Sequence, residues 1–244
     1  MSDREAFLRT ICENPADDAP RLVFADWLEE HGEAERAEFI RLQVEKARLP
    51  ADDPRHALLH TRDLELRGRF GEAWRRELPR IPGVSWHHRF WRGFVSGADV
   101  AGWRFFRRHA DALFAATPVQ FLHFTRLMQD QCPELVASPY LGRLLGLNLS
   151  GTFIGDEGVR TLAECPGLAG LQTLELRGNL TQPWGVAVPR DFRYPMFTGQ
   201  GGWALVRSRW LKDLEQLDVR FNLLTRAVVQ ALRERFGDRV LVSE

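Results

Sequence analysis

The second half of the chain repeats one pattern of apolar and polar positions. Segments 144–149, 171–179 and 214–222 each place leucine or valine at the first, fourth and sixth positions, and the two later segments end in asparagine at the ninth. Residues two apart on a strand point to the same side, so each segment predicts a short strand with one buried face. Strands recurring at a solenoid period predict a stacked coil in which each repeat covers the next.

The distances between the copies predict where helices and an insertion lie. Leu147 and Leu174 are 27 residues apart, which leaves room for a returning helix, whereas Leu174 and Leu217 are 43 apart, or about one repeat plus an insertion at about 181–201. A degenerate copy precedes them at 121–125, and helix 225–236 with strand 240–242 closes the array. We expect parallel strands at about 122–125, 146–150, 173–177 and 216–220.

The first part of the chain has helical periodicity instead. Helices are predicted over 3–13, 21–31, 33–48 and 56–78. Asp17 and Asp18 are predicted to cap the start of the second helix, and Gly32 to end it. The predicted domains are a helical head at 1–78, a junction and N-terminal cap at 79–118, and a repeat region at 119–244. The fold class is therefore α/β, with parallel strands and outer-face helices preceded by an all-helical N-terminal module.

The head carries a family resemblance. The run from Asp17 to Gly32, which reads DDAPRLVFADWLEEHG, and the following segment 36–43 resemble the bacterial repeat-companion domain. The resemblance covers about the first 50 residues. It implies a small helical module fused to repeat arrays, with no established activity of its own.

The repeat region carries a second resemblance. The phrase L-x-x-L-x-L-x-x-N, together with residues 154–162, resembles the ribonuclease-inhibitor-like class of leucine-rich repeats, in which strand and helix alternate. Thr152 departs from this pattern because it stands where asparagine is expected. The resemblance implies a short leucine-rich-repeat solenoid that presents a surface for binding rather than catalysis.

Charge and hydropathy limit the classes of partner that the chain is expected to bind. The chain has 33 basic and 33 acidic residues, which gives no overall field to attract nucleic acid or an anionic membrane. The start lacks an apolar leader, and no segment approaches the ~18 apolar residues of a membrane-spanning helix. We expect a cytoplasmic protein with a protein partner; nucleic acid is disfavoured, no membrane is involved, and the oligomeric state is open.

Candidate chemistry is sparse. Cys12, Cys132 and Cys165 fit no metal-ligand spacing, and the adjacent pair His87 and His88 would point to opposite sides of an extended segment. No recognised nucleophile, zinc or nucleotide motif is present. The sequence therefore predicts free thiols, no catalytic residue, no metal and no cofactor.

The best candidate site is the outward side of the repeated strands. Because the leucines point inward, the polar residues between them point outward and stack about 4.8 Å apart. Like charges would then lie side by side, which either calls for a partner or is neutralised diagonally within the chain. The outward positions, called here the polar face, are His123, Thr125, Asn148, Ser150, Glu175, Arg177, Asp218 and Arg220.

The insertion adds a second candidate. Its aromatic residues Trp184, Phe192 and Tyr194 lie among prolines and glycines, and either anchor a partner or fold back over the coil. Together these features favour a non-enzymatic protein-binding or scaffold module. The alternative is a regulatory component that contacts an anionic partner such as nucleic acid through arginine-rich surface, for example Arg104, Arg107 and Arg108.

Overall fold

A computed structural model of the chain describes residues 2–50, 52–178 and 197–243. The chain divides into two compact units, residues 1–98 with 109–120 and residues 99–108 with 121–244. The described part is α/β, with nine α-helices and a mostly parallel seven-stranded sheet. The prediction of an α/β chain is confirmed, and the predicted division into three domains stays a prediction.

The first unit begins with four helices at the positions expected for the head. They are α1 (Asp3–Glu13), α2 (Ala19–Glu30), α3 (Ala34–Arg48) and α4 (Arg55–Arg76). A capping box starts α1, because Ser2 Oγ accepts from the Glu5 amide while Glu5 Oε2 accepts from the Ser2 amide. Asp18 occupies the N-cap position of α2 as predicted, but its side chain pairs with Arg48 and makes no capping hydrogen bond; Asp17 Oδ1 instead accepts from the Ala19 amide at 2.9 Å.

A hairpin completes the core of this unit. It consists of β2 (Phe90–Trp91) and β3 (Phe94–Val95), paired antiparallel, and it follows β1 (Val84–Trp86). Its two turn residues have positive φ, 50° at Arg92 and 88° at Gly93, which a tight two-residue hairpin turn requires. The sequence predicted this stretch only as part of the junction at 79–118.

The backbone of the hairpin turn packs directly against α3, because Gly93 has no side chain. The Gly93 amide donates to Gln43 Oε1 at 2.7 Å, and Gln43 Nε2 donates to the buried Asp63 carboxylate, also at 2.7 Å. A methyl group on Gly93 would lie 2.5 Å from Ile40 Cγ1. Glycine is therefore required here for two reasons, its backbone angle and the close approach of α3.

Two buried arginines flank the aromatic ring that follows the turn. The guanidinium carbons of Arg21 and Arg36 lie 5.8 and 5.4 Å from the Phe94 ring centre, and Arg36 also lies 4.5 Å from the centre of Trp74. Burial lowers the pKa of both Arg21 and Arg36 to about 10. Both remain charged at neutral pH, so aromatic faces and backbone carbonyls must replace the water they have lost.

The second unit contains a ladder of parallel strands. They are β5 (Phe121–Phe124), β6 (Gly146–Asn148), β7 (Thr173–Glu175), β8 (Gln216–Asp218) and β9 (Val240–Leu241). Leu122, Leu147, Leu174, Leu217 and Val240 lie in register across the ladder. With β4 (Gly97–Val100), the seven-stranded sheet has the order β1-β4-β5-β6-β7-β8-β9. The predicted parallel strands are confirmed, although most are shorter than expected.

Helices alternate with these strands. They are α5 (Trp103–Ala116), α6 (Cys132–Val136), α7 (Gly155–Ala163), α8 (Gly199–Arg207) and α9 (Arg226–Phe236). The Asp156 carboxylate on α7 accepts from the amides of Thr198 and Gly201, each at 2.7 Å, and so joins the starts of α7 and α8. Among the residues that the structure describes, no helix is long and apolar enough to cross a membrane.

The repeated leucines are buried as the pattern predicts, and the asparagine of the last segment bonds nearby backbone carbonyls. The aliphatic residues of the three strands are buried: Leu147, Leu149, Leu174, Leu176, Leu217 and Val219. Asn222 Nδ2 donates to the carbonyls of Leu176 and Val219 at 2.7 and 3.0 Å. Thr152 replaces part of this function, since its hydroxyl donates to the Leu149 carbonyl at 2.6 Å. Asn179 lies outside the described residues.

Leu174→Ala should lower the free energy of unfolding by about 2–5 kcal/mol, because it removes buried methyl groups and leaves a cavity. Leu174 is 0% exposed, whereas Leu223 in the same unit is 61% exposed. The matched control Leu223→Ala should therefore cost within about 0.5 kcal/mol. Denaturant titration of both variants measures the difference, and equal costs would contradict the buried register.

Gly93→Ala should destabilise the chain by at least about 1 kcal/mol more than Gly32→Ala. Both positions have left-handed backbone, with φ of 88° and 83°, so both substitutions carry the ~1–2 kcal/mol backbone cost. Only a methyl group on Gly93 also overlaps Ile40, since nothing lies within 4 Å at Gly32. The difference in unfolding free energy between the two variants, measured by chemical denaturation, gives the cost of the steric overlap, which we expect to be about 1–3 kcal/mol. Indistinguishable stabilities would refute the close approach.

Candidate functional site

The strand register brings the predicted polar face together. His123, Asn148, Glu175 and Asp218 occupy successive rungs of the parallel ladder. Thr125, Ser150, Arg177 and Arg220 follow two residues later along the chain, and the Arg177 amide donates to Ser150 Oγ at 3.2 Å. All eight residues therefore lie on one side of neighbouring strands.

Side chains in the first rungs pair with one another. His123 Nδ1 lies 2.8 Å from Asp99 Oδ1, a geometry in which the ring N–H donates to the carboxylate. Asn148 Nδ2 donates to Glu175 Oε2 at 2.9 Å, and Asn148 Oδ1 accepts from the Ser150 amide at 2.8 Å. Sequence reasoning missed Asp99, although its place between the apolar residues Ala98 and Val100 is the alternation that marks an outward strand position.

Asp218 does not face a partner as predicted, because neighbouring arginines cover it. It is only 2% exposed. Arg220 donates to it through Nε at 3.0 Å and Nη2 at 2.6 Å, and Arg177 Nε lies 3.6 Å from the same carboxylate. The hydrogen bond to Asp218 raises the pKa of Arg220. The carboxylate therefore positions the two arginines and is not itself an accessible contact.

The like charges expected side by side are compensated within the chain. Glu175 accepts from an amide group, and Asp218 lies against two guanidinium groups. Arg177 and Asp218 are therefore paired diagonally, Arg220 and Asp218 are paired along one strand, and Glu175 bonds a neutral amide. The polar face does not need a partner to relieve repulsion, and any affinity it has must come from shape and from its remaining donors and acceptors.

The accessible part of the polar face is smaller than predicted. Thr125 and Arg177 are exposed, whereas His123, Asn148, Ser150, Glu175 and Arg220 are half-buried. The Arg177 guanidinium also lies over the Phe221 ring, 5.4 Å from its centre. The insertion residues Trp184, Phe192 and Tyr194 fall outside the described residues.

The thiols lack the environment of a nucleophile. Among the residues that the structure describes, Cys12, Cys132 and Cys165 are buried and form no disulfide. Burial raises the pKa of the Cys132 thiol to about 12, with a further contribution from Asp130, and burial also raises the pKa of Cys165. Almost no thiolate is present at either site at neutral pH, so neither is activated for attack.

Two acidic residues of α2 are engaged in ion pairs. Asp26 and Glu29 both accept from Arg41, at 2.6 and 2.7 Å. Within 2–50, 52–178 and 197–243, no group of three or more His, Cys, Asp or Glu side chains could hold a metal ion.

Comparison with models of known protein families gives no match for this chain. Comparison with curated proteins likewise gives no match.

Proposed function

We propose that the chain is a non-enzymatic protein-binding or scaffold module in which a repeat-companion head precedes a short leucine-rich-repeat arc. The partner would contact the polar face together with the insertion. The observation that carries this proposal is the in-register parallel ladder, in which buried leucines alternate with outward polar residues over four rungs. A rigid row of this kind offers a surface without the cost of ordering a loop.

The sequence signature of the head supports a structural role for it. Arg21 donates to the carbonyls of Asp17 and Pro15 at 2.6 and 2.9 Å, and Asp18 binds Arg48 and lies 3.2 Å from Arg92. These residues are engaged with their own unit. The head would therefore act as a folded companion to the repeats, and we propose a cytoplasmic location for the whole chain.

A regulatory component that contacts an anionic partner is the second candidate. Arg104, Arg107 and Arg108 on α5 are exposed, and the ion pairs found among the described residues include none from these three. Against this reading, the chain has no net charge, and a phosphate backbone is held through several neutralised contacts. Binding that falls steeply with salt and with Arg107→Ala would favour this candidate.

Thr125→Arg tests the polar face directly. Thr125 is exposed, so a long charged side chain there should block a protein partner while leaving folding intact. In affinity capture with the whole chain as bait, we expect partner recovery to fall about tenfold or more at an unchanged melting temperature. Thr61→Arg on α4, also exposed, is the matched control and should capture normally. Equal recovery with both variants would reject the polar face as the interface.

Trp184→Ala separates the two roles open for the insertion. If Trp184 is an anchor, partner affinity should fall by about 2 kcal/mol or more, since binding energy concentrates in a few aromatic and arginine side chains. If it covers the core instead, the melting temperature should fall first, and binding only in proportion to the unfolded fraction. Both quantities are measured on one variant. Unchanged affinity with a lowered melting temperature would exclude the anchor.

A further inference from the structure

A cleft of about 710 Å³ lies in the second unit between α7, α8 and the turn that follows α8. One wall comes from α7 and carries Glu157, Arg160 and Glu164. The other wall carries Trp203 and Arg207 on α8, with Arg209 and Trp210 in the turn. Its volume falls within the ~300–1,000 Å³ of clefts that enclose small ligands, a size suited to a few residues of an extended peptide.

The turn that carries Arg209 and Trp210 is held in place. The Ser208 hydroxyl is buried, donates to the Ala163 carbonyl, and accepts from the amides of Trp210 and Leu211 at 3.2 and 3.3 Å. The Arg235 guanidinium donates to the carbonyls of Val206 and Ser208. This wall of the cleft is therefore set before any ligand arrives, which lowers the entropic cost of binding.

Each tryptophan of this wall carries an arginine across its face. The guanidinium carbon of Arg207 lies 5.5 Å from the centre of the Trp203 ring, and that of Arg209 lies 4.8 Å from the centre of Trp210. Neither arginine forms an ion pair with any residue in the described ranges. A guanidinium stacked in this way loses little further freedom when its N–H groups bind a carboxylate.

Charge is unevenly distributed around the cleft. The Asp156 carboxylate accepts from Thr198 and Gly201, and Glu157 pairs with Arg160. Of the charged residues that line the cleft, Glu164, Arg207 and Arg209 have no such partner among the described residues. The wall that carries Trp203 and Trp210 is therefore positive, and the opposite wall is acidic. A polyanion would meet this acidic wall, whereas a short segment could place its carboxylates on one wall only.

We propose that this cleft binds an acidic peptide segment of a partner protein, as a site separate from the polar face. An aspartate or glutamate side chain of the peptide would lie at Arg207 and Arg209, and a neighbouring leucine or phenylalanine would cover Trp203 or Trp210. Half-buried tryptophan beside unpaired arginine is the composition enriched at the centre of protein interfaces.

Fluorescence anisotropy with three labelled probes tests the ligand class on the unmodified chain. The probes are an end-blocked heptapeptide Gly-Leu-Glu-Asp-Leu-Leu-Gly, its amide counterpart Gly-Leu-Gln-Asn-Leu-Leu-Gly, and a twelve-nucleotide single-stranded DNA. We expect the acidic peptide to bind about tenfold or more tightly than either of the others, because charge-assisted hydrogen bonds are lost in the amide. Equal binding of the two peptides, no binding of either, or tighter binding of the DNA would each overturn the proposal.

A charge-reversal pair locates the site. Arg207→Glu/Arg209→Glu should lower the affinity for the acidic peptide about tenfold or more. The melting temperature should not change, because both side chains are exposed. The matched control is Arg226→Glu/Arg233→Glu, two exposed arginines of α9 outside this cleft, and it should leave binding unchanged. Equal loss in both variants would show attraction by overall charge and overturn the assignment. Loss of polar-face capture in Thr125→Arg with intact peptide binding would keep the two sites distinct.

Discussion

The packing of two buried arginines against Phe94 is the contact on which the first unit depends. Among the residues that the structure describes, no carboxylate forms an ion pair with Arg21 or Arg36, and burial lowers the pKa of each. Removing a charge from water costs several kcal/mol unless other groups replace the hydration. Here ring faces lie over both guanidinium groups, and two backbone carbonyls also accept from Arg21. The ring lies on a hairpin far along the chain from α2 and α3, so this contact joins residues 90–95 to both helices.

The parts of the fold that sequence predicted are those with a local cause. Leucines two apart, repeated with the same spacing, determine both the direction of each strand and its partners, so Leu147, Leu174 and Leu217 align as expected. The hairpin had no such signal, because positive φ at Arg92 is an uncommon conformation for a residue with a side chain. Its tertiary contacts with Gln43 and Ile40 stabilise that conformation.

The candidate site likewise depends on tertiary contacts that the local sequence pattern does not determine. Alternation along a strand gives the direction of a side chain, but the coverage of that side chain depends on the length and charge of its neighbours. Asp218 points outward as predicted and is nevertheless buried, because Arg177 and Arg220 close over it. The cleft between α7 and α8 was also beyond sequence reasoning, since Trp203 and Trp210 become neighbours of Glu164 only through the packing of one repeat on the next.

Asp156 has a consequence for how this chain could change over evolution. The segment between Gly178 and Phe197 leaves from a backbone already bonded to Arg220, and it returns at Thr198, which Asp156 and a bridge to Leu223 hold in place. Both attachment points are thus determined by residues outside the segment. A change in the sequence between these attachment points therefore leaves the contacts that hold the neighbouring strands and α8 in place. The array offers a position at which a new binding specificity can be grafted onto an unchanged frame.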